Sequence, residues 1–280
     1  MFKQNQPIGV FDSGLGGISV LHEIHHLLPN EALIYIADSG HAPYGSKSTE
    51  YITQRCLQLS EFLLEQGAKM LVVACNTATA HAIDTMRQQL SVPVIGMEPA
   101  VKPAARLTKT GVIGVLATQQ TVQSQRLQRL IQDYASGVKV LAQACPGLVE
   151  HVEQGDFASS ELQDLLKRYT EPLLEQGTDI IVLGCTHYPF LAATLQRIVG
   201  CEVTILETSN AVAQHVARSL EKQGLQGAAG GQGSVSFYSS KAEPIHWQSM
   251  QLLWQQAIPE ALLPEHYLTI PPQTLVPDQR

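Results

Sequence analysis

The chain has 280 residues, 44% of them hydrophobic, and a formal charge of −7 without any long lysine or arginine block; it is long enough for two lobes and lacks the basic footprint of a general nucleic-acid binder. No apolar run reaches the roughly 18 to 20 residues of a membrane helix, and MFKQNQPIGVFDSG carries no signal-like stretch, so a cytoplasmic protein with no membrane contact is expected. Five cysteines, odd in number and widely scattered, argue against a disulfide framework and for a working thiol.

In chain order, short β-rich apolar runs alternate with amphipathic helical stretches. IGVFDS predicts a first strand, and FDSGLGG then turns into a helix over GISVLHEIHHLL. The turn sets Asp12 and Ser13 before Gly14, Gly16 and Gly17, so that backbone N–H groups can approach an anion; it resembles phosphate-binding glycine loops, but it lacks the Lys-Ser/Thr of a P-loop and the spacing of a dinucleotide fingerprint. His25 and His26 are assigned to the solvated face of that helix. ALIYIAD is the second strand, and DSGHAPYGSKS after it is a loop in which Pro43, Tyr44 and Gly45 can line a pocket. A long helix carrying Cys56 follows. MLVVAC then ends on Cys75, with Asn76, Thr77 and Thr79 entering the next helix; a helix start favours a thiolate, and Asn, Thr and free N–H groups can hold a carboxylate. VPVIGM closes this half.

From about residue 111 the pattern begins again with GVIGVLAT, VKVLAQA, DIIVLGC and CEVTILE, and CPGLVEHVEQG places Glu153 on a short helical segment. DIIVLGC ends on Cys185, followed by Thr186 and His187. C-x-H admits a zinc reading, but no further ligands stand at a recognisable spacing, and His187 reads better as an acid/base helper for the thiol beside it. A helix then runs to about Gln223, the stretch GLQGAAGGQGS leads into VSFYSS, and a last helix around 247–257 can return to the first lobe. The proline-rich 258–280 is read as a loosely held tail.

The restart is a repeat. LLEQGAKMLVVACNT from Leu63 aligns with LLEQGTDIIVLGCTH from Leu173, the two cysteines lying 110 residues apart, from 75 to 185. IGVFDS from Ile8 aligns with IGVLAT from Ile113, which pairs Ser13 with Thr118 at an offset of 105. The expected fold is α/β: two pseudo-symmetric lobes, each a mostly parallel sheet flanked by helices, with the active site in the cleft between them. The first lobe takes 1–98 with 212–257 and the second takes 99–211. Both cysteines fall at carboxyl ends of strands, where ligands of open α/β sheets bind, and they approach from opposite sides.

Taking a proton from the α-carbon of an amino acid without an electron sink requires a base on one face, an acid on the other, and donors for the carboxylate as enediolate charge develops. Two opposed thiols meet that need. No lysine except Lys47 stands beside these motifs, so a pyridoxal phosphate Schiff base has little support and no cofactor is expected. A bilobal amino-acid binding module without catalysis would use the same cleft.

FDSGLGG, the D-x-x-x-x-PYG run from Asp38 to Gly45, ACNTA and LGCTHYP, in this order, resemble the glutamate racemase family within the wider aspartate/glutamate racemase group, over roughly residues 7 to 240. The resemblance implies that Cys75 and Cys185 are the two catalytic acid/bases acting on L- and D-glutamate, with Asp12, Glu153 and His187 assisting. Glu153 enters through C-P-x-x-V-x-x-V-E-x-G, matched from Cys145 to Gly155, and Asp38 matches a further acidic helper. Asp12, Ser13, Tyr44, Gly45, Asn76, Thr77, Thr186 and His187 would contact substrate; Pro43 and Thr118, the repeat counterpart of Ser13, complete the set. The same resemblance implies no metal, a homodimer, and provision of D-glutamate for bacterial peptidoglycan. It leaves open a sister activity on aspartate, hydantoins or maleate. Contact with DNA gyrase, associated with some members, has no support in the residues.

Overall fold

The computed structural model describes residues 6–227, 233–241, 243–257 and 268–269; the expectations for the tail 258–280 and for the middle of GLQGAAGGQGS lie outside them, apart from Leu268 and Thr269. The first run comprises β1 (Ile8–Asp12), α1 (Ile18–Leu27), β2 (Leu33–Ala37), α2 (Thr49–Glu65), β3 (Met70–Val73), α3 (Asn76–Gln89) and β4 (Val94–Ile95). The second comprises α4 (Val101–Leu107), β5 (Val112–Ala117), α5 (Gln119–Gln123), α6 (Gln125–Tyr134), β6 (Lys139–Ala144), α7 (Leu148–Glu153), α8 (Ser160–Leu174), β7 (Ile180–Gly184), α9 (Ala192–Val199) and β8 (Thr204–Leu206). α10 (Ser209–Gln223) then packs on α1, β9 (Val235–Ser239) pairs with β2, α11 (Pro244–Ala257) returns to α1, and β10 (Leu268–Thr269) pairs with β9.

Two sheets result, with strand orders β10-β9-β2-β1-β3-β4 and β6-β5-β7-β8, and every pairing is parallel. The order β2-β1-β3-β4 is repeated as β6-β5-β7-β8. The register is repeated too: Ile8 faces Met70 and Ile113 faces Ile180, so the offsets of 105 and 110 hold strand by strand. LLEQG recurs because both copies end a helix on a glycine in the left-handed region, Gly67 at φ +83° and Gly177 at φ +85°, and hand the chain to a buried strand. In each half the chain leaves the first strand toward one edge and the third toward the other. Ligands bind above such a switch point, here beyond the ends of β1 and β3 and of β5 and β7.

Side-chain alternation distributes these strands among three apolar layers. Leu71, Val73 and Cys75 face α2 and α3 in a core belonging to the first sheet, while Ile113, Val115, Ile180 and Val182 face α4 and α6 in a core of the second. The third cluster runs through both halves, joining Ile18, Leu21 and Ile24 of α1 to Leu148, Val152, Leu183 and Tyr188, and on to Val216 and Trp254. Each such aliphatic side chain contributes at most about 1.5–3 kcal/mol on burial. Among the described residues, no helix is long and apolar enough to cross a membrane. His25 departs from expectation: its ring lies 5.7 Å from that of Trp254 and its Nδ1 is buried, because α11 covers that side of α1.

Candidate active site

The ends of β1, β3, β5 and β7, with the 43–45 loop, enclose a narrow cleft lined by Ser13, Pro43, Tyr44, Gly45, Cys75, Asn76, Thr77, Thr118, Val149, Cys185, Thr186 and His187. Both sulfurs are nearly buried, Cys75 at 5% exposure and Cys185 at 7%.

Cys75 is the N-cap of α3, where its Sγ accepts from the Ala78 N–H at 3.4 Å and lies 3.5 Å from Ser13 Oγ. Beneath it Asp12, wholly buried, accepts the Gly17 N–H at 2.8 Å, with the hydroxyls of Ser13 and Thr186 each 3.4 Å from its carboxylate. Burial raises the Asp12 carboxyl above its ordinary value against the opposing charge of His187. Burial, followed by the Asp12 charge, pushes the Cys75 thiol well above the usual range, and the Ser13 hydroxyl and Ala78 N–H offset only part of this. Desolvation and the Asp12 carboxylate thus oppose the pull of the helix start toward a thiolate and outweigh it.

Cys185 ends β7 and its Sγ lies 3.7 Å from Nδ1 of His187. Nε2 of that ring meets Glu153 Oε1 at 2.7 Å, and the same oxygen accepts the Leu15 N–H at 2.6 Å. Burial disfavours the imidazolium, but contacts with Cys185 and Glu153 prevail and hold His187 well above the usual histidine value. Burial likewise opposes the Glu153 carboxylate, which the His187 hydrogen bond and charge, then the Leu15 N–H, keep below its ordinary value. The Gly16 N–H faces Nε2 at 3.2 Å, a hydrogen bond only when that nitrogen has lost its proton. Gly14 and Gly16 allow this approach: a Cβ on either would run into Glu153 or the His187 ring.

The cleft also carries unspent donors. Asn76 is 4% exposed, yet neither its Oδ1 nor its Nδ2 has a partner, the mark of a group awaiting a ligand. The N–H groups of Asn76, Thr77, Tyr44 and Gly45 donate to no acceptor among the described residues. Thr77 Oγ1 reaches Thr118 Oγ1 at 2.9 Å and Thr121 Oγ1 at 3.2 Å, tying the two halves together at the rim.

Every anticipated contact residue except Asp12 lines the cleft, and Asp12 lies directly under Ser13. Asp38 stands apart. Its oxygens are taken by Arg55 and Tyr44, and no hydrogen bond joins it to either thiol. Sequence reasoning passed over Val149, Thr121, Tyr35, whose hydroxyl donates to the Gly14 carbonyl at 2.7 Å, and Arg55. Only Arg55 had a legible signal, a charge in the apolar stripe Ile52, Cys56, Leu59, Leu63 of α2. Among the described residues no three side chains cluster as metal ligands. The other cysteines lie outside the cleft, Cys56 and Cys145 buried and Cys201 exposed.

A family model described as Asp/Glu/hydantoin racemase matches residues 8–216. Glutamate racemase of Methylococcus capsulatus is 53% identical over 254 residues, covering 91% of this chain and 94% of that one. Among solved structures, glutamate racemase isoform RacE1 of Bacillus anthracis superposes with a TM-score of 0.82 at 31% identity, covering 95% of this chain and 98% of that one. The glutamate racemase of Francisella tularensis in complex with D-glutamate gives 0.82 at 27% identity with the same coverage.

Proposed function

The chain belongs to the Asp/Glu/hydantoin racemase family, as an isomerase of the glutamate racemase type, and from that premise we propose that Cys75 and Cys185 interconvert L- and D-glutamate as opposed acid/bases without a cofactor. The observation that carries the proposal is two thiols lining one cleft whose wall also offers a partnerless amide and free N–H groups.

With L-glutamate, the Cys185 sulfur, as thiolate paired with the His187 imidazolium, takes the α-proton, and the Cys75 thiol returns one to the opposite face. With D-glutamate the roles exchange. Asn76, Thr77, Thr118 and Thr186 hold the α-carboxylate and neutralise the enediolate charge as it forms. Asp12 is the group through which Cys75 is recharged, and Glu153 acts on Cys185 through His187. Pro43, Tyr44, Gly45 and Ser13 wall the substrate. The two lobes are 1–98 with 212–257, and 99–211. The product supplies D-glutamate to peptidoglycan precursors made in the cytoplasm, and the working unit is a homodimer.

Circular dichroism of the purified protein with L- or D-glutamate and no additive tests the reaction, with both aspartate enantiomers as the specificity control. Each glutamate enantiomer should lose its signal. Alkylation with peptide mapping tests the assignment: glutamate should protect Cys75 and Cys185, while Cys201 reacts regardless. Protection confined to Cys56 or Cys145 would refute it.

A further inference from the structure

Desolvating a guanidinium is repaid only by a well-formed partner, so a charge inside the apolar stripe of α2 calls for a task. Arg55 is 1% exposed. Its Nη2 donates to Asp38 Oδ1 at 2.6 Å and its Nε to Oδ2 at 2.9 Å, while Nη1 donates to Gln58 Oε1 at 3.2 Å. Asp38, wholly buried, spends its remaining capacity on Tyr44, whose hydroxyl donates to Oδ2 at 2.6 Å. Burial and the Asp38 charge hold that phenol far above its usual range, so it stays a donor. The chain of contacts ends in the cleft wall, where the N–H groups of Tyr44 and Gly45 lack acceptors. From the opposite half, Thr118 abuts Gly45 so closely that a Cβ there would lie 3.3 Å from the Thr118 Cβ. The loop is thus gripped on two sides, by Thr118 directly and by Arg55 through Asp38.

We propose that Arg55 is a positioning residue for substrate: through Asp38 and Tyr44 it fixes the 43–45 loop so that its N–H groups meet a carboxylate, and it cancels the Asp38 charge that would otherwise repel a dicarboxylate. The assignment rests on the reading of this cleft as a glutamate site. It gives Asp38 a part in binding, without contact to either sulfur. Charge cancellation matters because the chain already carries a net charge of −7 and its overall field opposes an acidic substrate.

The test combines steady-state kinetics in both directions, calorimetric binding of glutamate and thermal melting on four proteins: wild type, Tyr44→Phe, Arg55→Lys, and the double variant Asp38→Leu with Arg55→Leu. Tyr44→Phe removes only the link to Asp38, and Arg55→Lys keeps the charge but loses the two-pronged grip. Each should raise KM and Kd roughly tenfold, as expected for a hydrogen bond to a charged group, with kcat within about threefold of wild type. The double variant replaces the ion pair by apolar side chains that a core accepts, so it should melt near wild type and bind at least as weakly as the single variants. A purely structural pair would move melting and leave KM alone. Wild-type Kd in the folded variants, or a fall in kcat at unchanged KM, overturns the proposal; if the double variant does not fold, the two single variants decide. Absence of racemisation in the wild type would count against the function of the cleft, whereas Kd alone decides the role of Arg55.

Discussion

Cys75 and Cys185 occupy the same place in a repeated strand order and register, yet their surroundings share almost nothing. Cys75 caps a 14-residue helix and belongs to the apolar core of the first sheet, with a hydroxyl, one N–H and a sealed carboxyl as neighbours. Cys185 enters a short 3-10 turn and sits at the cluster that runs through both halves, with an imidazole held by a carboxylate whose side chain is 19% exposed. The repeat supplies the placement of two sulfurs in one cleft. Their surroundings differ through Asp12 and Ser13 from the end of β1 on one side, and through His187 with Glu153 of α7 on the other.

The largest effect expected from this comparison is loss of either sulfur. Cys75→Ser and Cys185→Ser should each lower racemisation by roughly a thousandfold or more, since serine is a far weaker acid and a poorer base. Residual α-proton exchange in deuterated water should survive chiefly with L-glutamate in Cys75→Ser and with D-glutamate in Cys185→Ser. Racemisation intact in either variant would sink the two-thiol mechanism, and reversed exchange would sink the assignment of faces.

Helper variants come next, at roughly a hundredfold. The enantiomers are equal in energy, so kcat/KM must remain equal in the two directions, and asymmetry has to be read from isotope effects. His187→Asn should enlarge the primary effect with α-deuterated L-glutamate, and Asp12→Asn the effect with the D-enantiomer. Equal changes from both variants would erase the distinction between the arms. Glu153→Gln sharpens it by pH. His187 is held above its ordinary value partly by the Glu153 charge, so the imidazolium persists as pH rises and is lost only through that raised value. Removing the charge lowers it, and the alkaline limb of the rate profile should move to lower pH.

A smaller loss, roughly tenfold, is expected for Gly16→Ala, whose Cβ meets the His187 ring. In a His187→Asn background the same change should cost less, since its target is gone; full additivity in the double variant would refute this route. No loss is expected from dialysis against a chelator, and activity restored by zinc after such treatment would revive the metal reading of Cys185 and His187.

Much of the framework was legible because a parallel sheet writes itself as apolar runs separated by helical periodicity, and a repeat exposes equivalent positions without any outside knowledge. IGVFDS against IGVLAT, and VVAC against VLGC, located β1, β3, β5 and β7 and the ends that line the cleft. Illegible were the contacts that depend on how the halves meet. Leu15 and Gly16 offering N–H groups to Glu153 and His187 involve residues more than 130 positions apart, and glycines alone do not say what approaches them. The electrostatics of Cys75 were illegible for a related reason: capping is local and shows in sequence, whereas desolvation and the Asp12 charge follow from packing.

The apolar cluster passing from Ile18 through Leu183 to Trp254 has a thermodynamic consequence. Opening either half would strip apolar neighbours from the other, so melting should be a single cooperative transition. In a calorimeter the van't Hoff enthalpy per chain should equal the measured one, and two resolved transitions would show the halves to be thermodynamically separate. Cooperativity of this kind also links the two sulfurs: a lesion in the α11 packing around Trp254 should lower the population in which both are in place.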